Sequence, residues 1–399
     1  MKKSASYRTR IPVEDLLNYP NAYLFRDVLS QTGSTVLIPS RVPISKLIEG
    51  LDNPKRIIDS LDRMNVRKIE IEIPQDLDDE DVLLRLAELD PSVTIIDNEV
   101  TNKGQSVMAD IFTNMTIDEK YNIPKDDIES LGRTLTKEVN KVSQIALSLI
   151  SSEQDTYTQS HALNVSLLAA YIAKKLVEDK KAPESAIEKS TLAGLLFDLG
   201  KAKIPKEILD KNSELDEKET TVMRGHIGAS ISMCKEAGIT DKELLDGIAT
   251  HHERYDGSGY PSGMVGTHIP IIGRILAVAD TFDAMTSPRI YKSAVSSKLS
   301  FNFIMSANET SFDPDICKIF IAGMGVYPPG SVVELSNGKI ATVVAMTSGN
   351  LLQPKVAIKE EGKQKVLDLA AEQLFVRRSM DVDPRDDVNF LEDPNWSLS

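Results

Sequence analysis

Hydrophobic and polar positions divide the chain into three regimes. Over the first hundred residues, short β-rich runs occur at Ser34–Ile38, Arg67–Ile73 and Val93–Ile96, with a helical pattern between them at about Ile44–Met64. In KIEIEI the alternation puts Ile69, Ile71 and Ile73 on one face and Lys68, Glu70 and Glu72 on the other, as in a half-buried strand. Residues 97–125 are polar, rich in Asp, Asn and Lys, and read as a linker or long connection. From Asp126 the period becomes helical and stays so to about Met324. Helices are expected at Asp126–Ser152, Tyr157–Asp179, Glu184–Phe197, Glu217–Ala237, Lys242–His251, Ile272–Ser287, Ser300–Asn308 and Pro314–Met324. Beyond Tyr327 the runs SVVEL, KIATVVAMT and PKVAI are separated by Asn337-Gly338 and by Ser348–Asn350, the pattern of a β-hairpin. The expected domains are therefore a small α/β unit over 1–100, a linker over 101–125, an all-helical unit over 126–325, a short β-hairpin appendage over 326–378 and an acidic, disordered tail over 379–399.

Composition narrows the class. The chain has 399 residues, 41% apolar and 27% charged, which suits a globular protein of two or three domains. A net charge of −14 is unsuited to a long nucleic-acid backbone, though it leaves room for a small anion held by local cations. No apolar h-region follows the basic N-terminal residues. The apolar runs Val165–Ala173 and Ile269–Ala279 are interrupted by Ser166 and Arg274 and fall short of the roughly 20 residues that span a bilayer. A cytoplasmic location without membrane insertion is expected. Cys234 and Cys317 are isolated and form no CxxC, so they read as small buried residues in a reducing compartment.

The chemistry lies in the helical regime. All 5 histidines fall between residues 161 and 268. His161 shares a helix face with Val165, Leu168 and Ile172, so it should be buried and need a partner. Asp198 follows the apolar run of LAGLLFDLGK and enters the interior, and Lys201 points a charge back to the same region. His226 stands between Gly225 and Gly228, where something must approach the backbone closely. His251 and His252 end the helix ELLDGIATHH, and the residues after Glu253 exclude the HExxH pattern of zinc proteases. Asp280 and Asp283 lie on one helix face, Asp280 after four apolar residues. The constellation is His161, Asp198, His226, His251, His252 and Asp280. Mixed imidazole and carboxylate donors suit iron, manganese or zinc better than calcium or magnesium. Six unrelated buried polar residues would be a costly coincidence.

These residues carry a resemblance. YTQSHALNVSLLA (157–169), FDLGK (197–201), GHIGASI (225–231), HHERYDGSGYP (251–261), IPIIGRILAVADTFDAMTS (269–287), RIYK and FDPDI (312–316) resemble the HD-GYP domains of bacterial cyclic di-GMP signalling, over about residues 150–325. The first hundred residues bear a looser resemblance to a small domain of unknown function often found in front of such domains. The resemblance implies a mainly α protein with an all-helical HD-type phosphohydrolase domain, opening the phosphodiester ring of cyclic di-GMP to pGpG or GMP. It implies divalent metal, two ions of iron or manganese. His161, Asp198, His226, His251, His252 and Asp280 match ligand positions, with Asp198 at the bridging one. Lys201 matches the lysine at the scissile phosphate, so Asp198 and Lys201 are the implied catalytic pair. Lys201, Tyr260 in the GYP loop, Asp283, Arg289 and Lys292 are the implied substrate contacts. Diguanylate cyclases are implied as protein partners, and a homodimer as the assembly.

Two departures matter. The name-giving His-Asp pair reads Phe197-Asp198, which removes one ligand. Three-metal members carry a Glu four residues before the first His, and here that position is Tyr157, which implies at most two metals. The leading expectation is a metal-dependent phosphodiesterase impaired by Phe197. The alternative is a silent cyclic di-GMP receptor or protein-interaction module. A broader HD-class nucleotide phosphohydrolase is disfavoured by the GYP loop.

Overall fold

A computed structural model describes residues 6–19, 22–24, 27–29, 36–40, 42–49, 53–64, 66–74, 96–117, 121–142, 145, 157–211, 213–286, 297–307, 310–327, 331–347, 350–360 and 363–380. The helical unit contains α3 (Asn98–Ile117), α4 (Lys125–Lys141), α5 (Tyr157–Glu178), α6 (Ser185–Leu196), α7 (Lys206–Leu209), α8 (Glu217–Arg224), α9 (His226–Glu236), α10 (Lys242–Thr250), α11 (Ile271–Thr286), α12 (Ser297–Ser306) and α13 (Pro314–Met324). Helix α5 is the hub. Every residue from Ser160 to Ala173 is buried, so it has no solvent face, and α3, α4, α6, α11 and α13 pack around it. Local signals set the ends of the outer helices. Asp216 caps α8 in a capping box with Glu219, Asp241 accepts from Leu244 N–H at the start of α10, and Asp313 caps α13 with Pro314 at its first position.

Two expectations for the helical unit change. The connection expected over 97–125 is in large part α3. Its Met108, Ile111, Phe112 and Met115 repeat at helical spacing and are buried in the same core as α5. The single helix expected over Glu217–Ala237 is two helices divided at Gly225, and the break makes His226 the first residue of α9.

The N-terminal unit contains β1 (Ser6–Pro12), β2 (Tyr23–Leu24), β3 (Val28–Leu29), β4 (Val36–Ile38), α1 (Ile44–Ile48), α2 (Lys55–Arg63) and β5 (Lys68–Pro74). Strand β5 is the expected KIEIEI strand. It lies centrally in the antiparallel order β1-β5-β2, with Ile11 opposite Ile69 and Leu24 opposite Ile71. The helical pattern of 44–64 divides into α1 and α2, and the expected Val93–Ile96 strand falls outside the described residues except for Ile96. The expected hairpin grows into a five-stranded antiparallel sheet of β6 (Val332–Leu335), β7 (Ile340–Thr347), β8 (Asn350–Glu360), β9 (Lys363–Asp368) and β10 (Val376–Ser379), in the order β10-β6-β7-β8-β9. Gly338, at φ +82°, makes the Asn-Gly turn between β6 and β7. The tail beyond Met380 lies outside the described residues.

The two ends of the chain share one core. Val332 and Met380 are buried in the same cluster as Ile11, Leu16, Leu24, Ile44, Leu61 and Ile71. Beside them Glu334, 4% exposed, accepts hydrogen bonds from the Tyr19 hydroxyl (3.0 Å), Arg377 Nη1 (2.7 Å) and Arg378 Nε (2.6 Å). Arg378 also pairs with Asp15 (3.0 Å). Glu334→Ala leaves these donors without their acceptor. With the arginines partly exposed, the expected loss of stability is about 2 kcal/mol, below the range for a fully buried pair. A melting temperature matching the wild type in a thermal scan would contradict this role.

Candidate metal centre

Five elements deliver the six residues. His161 stands on α5, Asp198 directly after α6, His226 at the start of α9, His251 and His252 just after α10, and Asp280 on α11. They form two groups, His161 with Asp198 and Asp280, and His226 with His251 and His252, each with donor atoms within 4.8 Å of one another. All six are buried. Asp198 faces both groups: its Oδ2 is 3.7 Å from His161 Nε2 and its Oδ1 is 3.5 Å from His226 Nε2.

The turn that presents Asp198 is fixed from below. Ser230 on α9 donates its hydroxyl to the Phe197 carbonyl and accepts Gly200 N–H, both at 2.8 Å. A Cβ at Gly200 would collide with the His226 carbonyl oxygen, so glycine lets the two elements close. Lys201 Nζ reaches Asp198 Oδ2 at 2.7 Å.

The hydrogen bonds fix which imidazole nitrogens are free to coordinate. His226 Nδ1 and His251 Nδ1 each lie 2.7 Å from a carbonyl oxygen, of Met223 and Ile248. A carbonyl only accepts, so both Nδ1 atoms carry the proton. The two Nε2 lone pairs then face each other at 3.5 Å with no proton to share. Both ring nitrogens of His252 and Oδ1 of Asp198 are buried without a hydrogen-bond partner. Burial holds these rings neutral, aided by Lys201 at His226 and by neighbouring imidazoles at the other two: His226 is shifted down, His251 is pushed down to about 4, and His252 falls well below the ordinary range. Such a concentration of buried lone pairs around one carboxylate is costly without a cation and fits a metal ion.

The other group is arranged differently. Burial disfavours a charge on His161, but the carboxylate of Asp280, 3.1 Å from Nε2, and the hydrogen bond to Asp283 (2.8 Å) outweigh it and hold its pKa up at about 9. Burial opposes ionisation of Asp198 and Asp280 too. Lys201 overcomes it at Asp198, and His161 at Asp280, so both stay ionised. The His161 proton therefore sits where a metal would. Sign fixes a prediction for metal-free protein. A histidine raised from 6.5 to about 9 stabilises fully below 6.5 and loses that contribution as pH rises through 9. A histidine lowered to about 4 stabilises above 6.5 and loses its contribution as pH falls toward 4. Melting temperature in chelator should peak near pH 6.5 and fall on both sides. A steady rise from neutral to pH 9 would contradict the assignment of His161.

Phe197 is fully buried and lies between the groups, its ring centroid 5.7 Å from that of His161 and 5.0 Å from that of His251. Among the implied substrate contacts, Lys201 is at the site. Tyr260 stacks on His252 (4.7 Å, 20°), and its buried hydroxyl has no hydrogen-bond partner. Asp283 is placed differently from the expectation. It is 2% exposed, with one oxygen on His161 Nδ1 and the other on Asn164 Nδ2 (2.8 Å), so it orients His161 from behind. Arg289 and Lys292 lie outside the described residues.

The structure adds residues that spacing alone did not single out. Glu253, 1% exposed, accepts N–H groups of Ser262 (2.7 Å) and Met264 (3.0 Å) and clasps the loop that carries Tyr260. Its signal was a carboxylate directly after two buried histidines. Ser230 and Asn164 had no comparable signal, because their partners are distant in sequence.

Residues 144–316 match the family model described as HD domain. The chain is 32% identical over 221 residues to the cyclic di-GMP phosphodiesterase PA4108 of Pseudomonas aeruginosa, covering 55% of this chain and 52% of that protein. It is 34% identical over 139 residues to the 3'3'-cGAMP-specific phosphodiesterase 2 of Vibrio cholerae, covering 35% of this chain and 27% of that one. A solved HDG"Y"P protein from Bdellovibrio bacteriovorus is similar with a TM-score of 0.44 and 16% identity, over 78% of this chain and 98% of that one. The chain spans about half the length of the cyclic di-GMP phosphodiesterases it matches. Among the described residues, no helix is long and apolar enough to cross a membrane.

Proposed function

We propose that this chain, whose residues 144–316 belong to the HD domain family, is a metal-dependent phosphodiesterase that opens cyclic di-GMP to pGpG or GMP. The observation that carries the reading is the convergence of two buried donor groups on one shared carboxylate, Asp198, with Lys201 against it. Relatives named cyclic di-GMP phosphodiesterases, at 31–35% identity, support the substrate.

Two divalent ions, iron or manganese, fit the donors. One would be held by His161, Asp198 and Asp280, the other by Asp198, His226, His251 and His252. When bound, they supply Lewis-acid activation of water and neutralise charge at phosphorus. The protein's own groups do the rest. Asp198 holds the two groups in register. Asp283 keeps the Nδ1 proton of His161 and turns Nε2 toward Asp198 and Asp280. Lys201, paired with Asp198 when the phosphate is absent, turns its ammonium to a phosphate oxygen when substrate arrives. Burial pushes the Tyr260 hydroxyl up, so it stays protonated and can donate to the ligand. Arg289 and Lys292 are proposed as further phosphate contacts.

Phe197 favours a second reading, a receptor that binds cyclic di-GMP without cutting it, because an apolar ring stands between the donor groups. The full chain supplied with Mn(II) or Fe(II) and cyclic di-GMP separates the two. Linear product supports the enzyme. Binding without product transfers the site to the receptor reading, and neither binding nor product sinks both.

A further inference from the structure

We infer that Arg224 receives the second phosphate of the cyclic dinucleotide, the one not being cleaved; this rests on the phosphodiesterase reading above. Arg224 ends α8, just before the Gly225 break that places His226 in the metal centre. Its guanidinium carbon lies 4.4 Å from the Tyr260 ring centroid. That ring stacks in turn on His252, so the guanidinium stands one aromatic ring away from a metal-ligand candidate.

Arg224 is an exposed residue, and its cation has no polar protein partner among the described residues. Among the described residues, Arg224 makes no hydrogen bond or ion pair, in a chain with 60 acidic residues and a net charge of −14. Its neighbours are engaged. Lys201 is held by Asp198, and Arg254 lies over Phe312 and donates to the Glu253 carbonyl. The buried Tyr260 hydroxyl beside it also has no hydrogen-bond partner.

A cyclic dinucleotide carries two phosphates facing each other across one macrocycle. The metal centre and Lys201 account for one. A substrate seated there brings the other back toward the wall of the site, where a second anion needs its own cation. A guanidinium offers a planar fork matched to two phosphate oxygens. The cation–π contact with Tyr260 holds the guanidinium near the site before the ligand arrives, which lowers the ordering cost of binding. A guanidinium that only stiffened the Tyr260 loop would affect every substrate alike. A phosphate contact distinguishes a two-phosphate substrate from a one-phosphate substrate.

The test compares cyclic di-GMP with bis(p-nitrophenyl) phosphate, a single phosphodiester, on the Mn(II)-loaded full chain. Arg224→Gln should raise KM for cyclic di-GMP about 10-fold beyond any change with the single diester, as expected for losing a charge-assisted contact. Arg224→Lys keeps the charge but not the planar fork, and should recover only part of the loss. If binding occurs without turnover, dissociation constants replace KM and the same ratio is read. Equal changes on both substrates, or none on cyclic di-GMP, would overturn the inference while leaving the phosphodiesterase reading intact. A wild type that cleaves the single diester but neither binds nor cleaves cyclic di-GMP would overturn that reading and this inference with it.

Discussion

Replacing Asp198 by asparagine is expected to lower cyclic di-GMP hydrolysis by at least roughly 100-fold, more than the 10–100-fold usual for a residue that merely supports a ligand. The reason is geometric. Asp198 is the carboxylate within reach of both groups, 3.7 Å from His161 Nε2 and 3.5 Å from His226 Nε2. Asparagine keeps the shape but removes the charge that both groups share and the partner of Lys201. Metal content should fall along with the rate. Metal-free Asp198→Asn should still fold, since asparagine fills the same volume, and circular dichroism in chelator checks this. A variant that folds, keeps its metal and retains activity would remove Asp198 from the centre.

Phe197→His is the second large effect, and it runs the other way. The position is fully buried between His161 and His251, and histidine is smaller than phenylalanine, so the change causes no overpacking. Without metal it should destabilise, because an apolar ring gives way to a polar one with no assured partner, at about 1–3 kcal/mol. With Mn(II) or Fe(II) the new imidazole adds a nitrogen donor to the group of His161, Asp198 and Asp280. Tightly held metal should rise toward two ions per chain, and turnover by roughly 10-fold, the scale of effects seen when ligation is repaired. The order of stabilities should therefore invert between chelator and metal. A variant whose metal content and rate match the wild type would show that Phe197 is not what limits this site.

Much of the candidate metal centre was legible because of contrast along the chain. Histidines and aspartates inside apolar helical runs must find partners, and His161, Asp198 and Asp280 stand in such runs. What those partners are depends on distances in sequence that no local pattern encodes. Asp283 shares a face with Asp280, and nothing in its neighbourhood tells that it will be used by His161, 122 residues earlier. Helix α3 was hidden for another reason. Its buried Met108, Ile111, Phe112 and Met115 have helical spacing, but polar residues on both sides dilute the signal. The shared core of the chain ends is less legible still. Tyr19 and Glu334 are 315 residues apart, and neither strand pattern predicts the other. Strand β5 was legible from its alternation, whereas its neighbour β1 alternates only loosely and emerges as a strand through pairing with β5.

The most direct test of the account is a titration of the full wild-type chain with Mn(II), or Fe(II) without oxygen, measuring metal occupancy and cyclic di-GMP cleavage on the same samples. Linear product should form at a rate that rises with occupancy of the centre and disappears when chelator removes the metal. A centre filled with metal that binds cyclic di-GMP yet releases no product, or cleavage that persists at full rate in chelator, would contradict it.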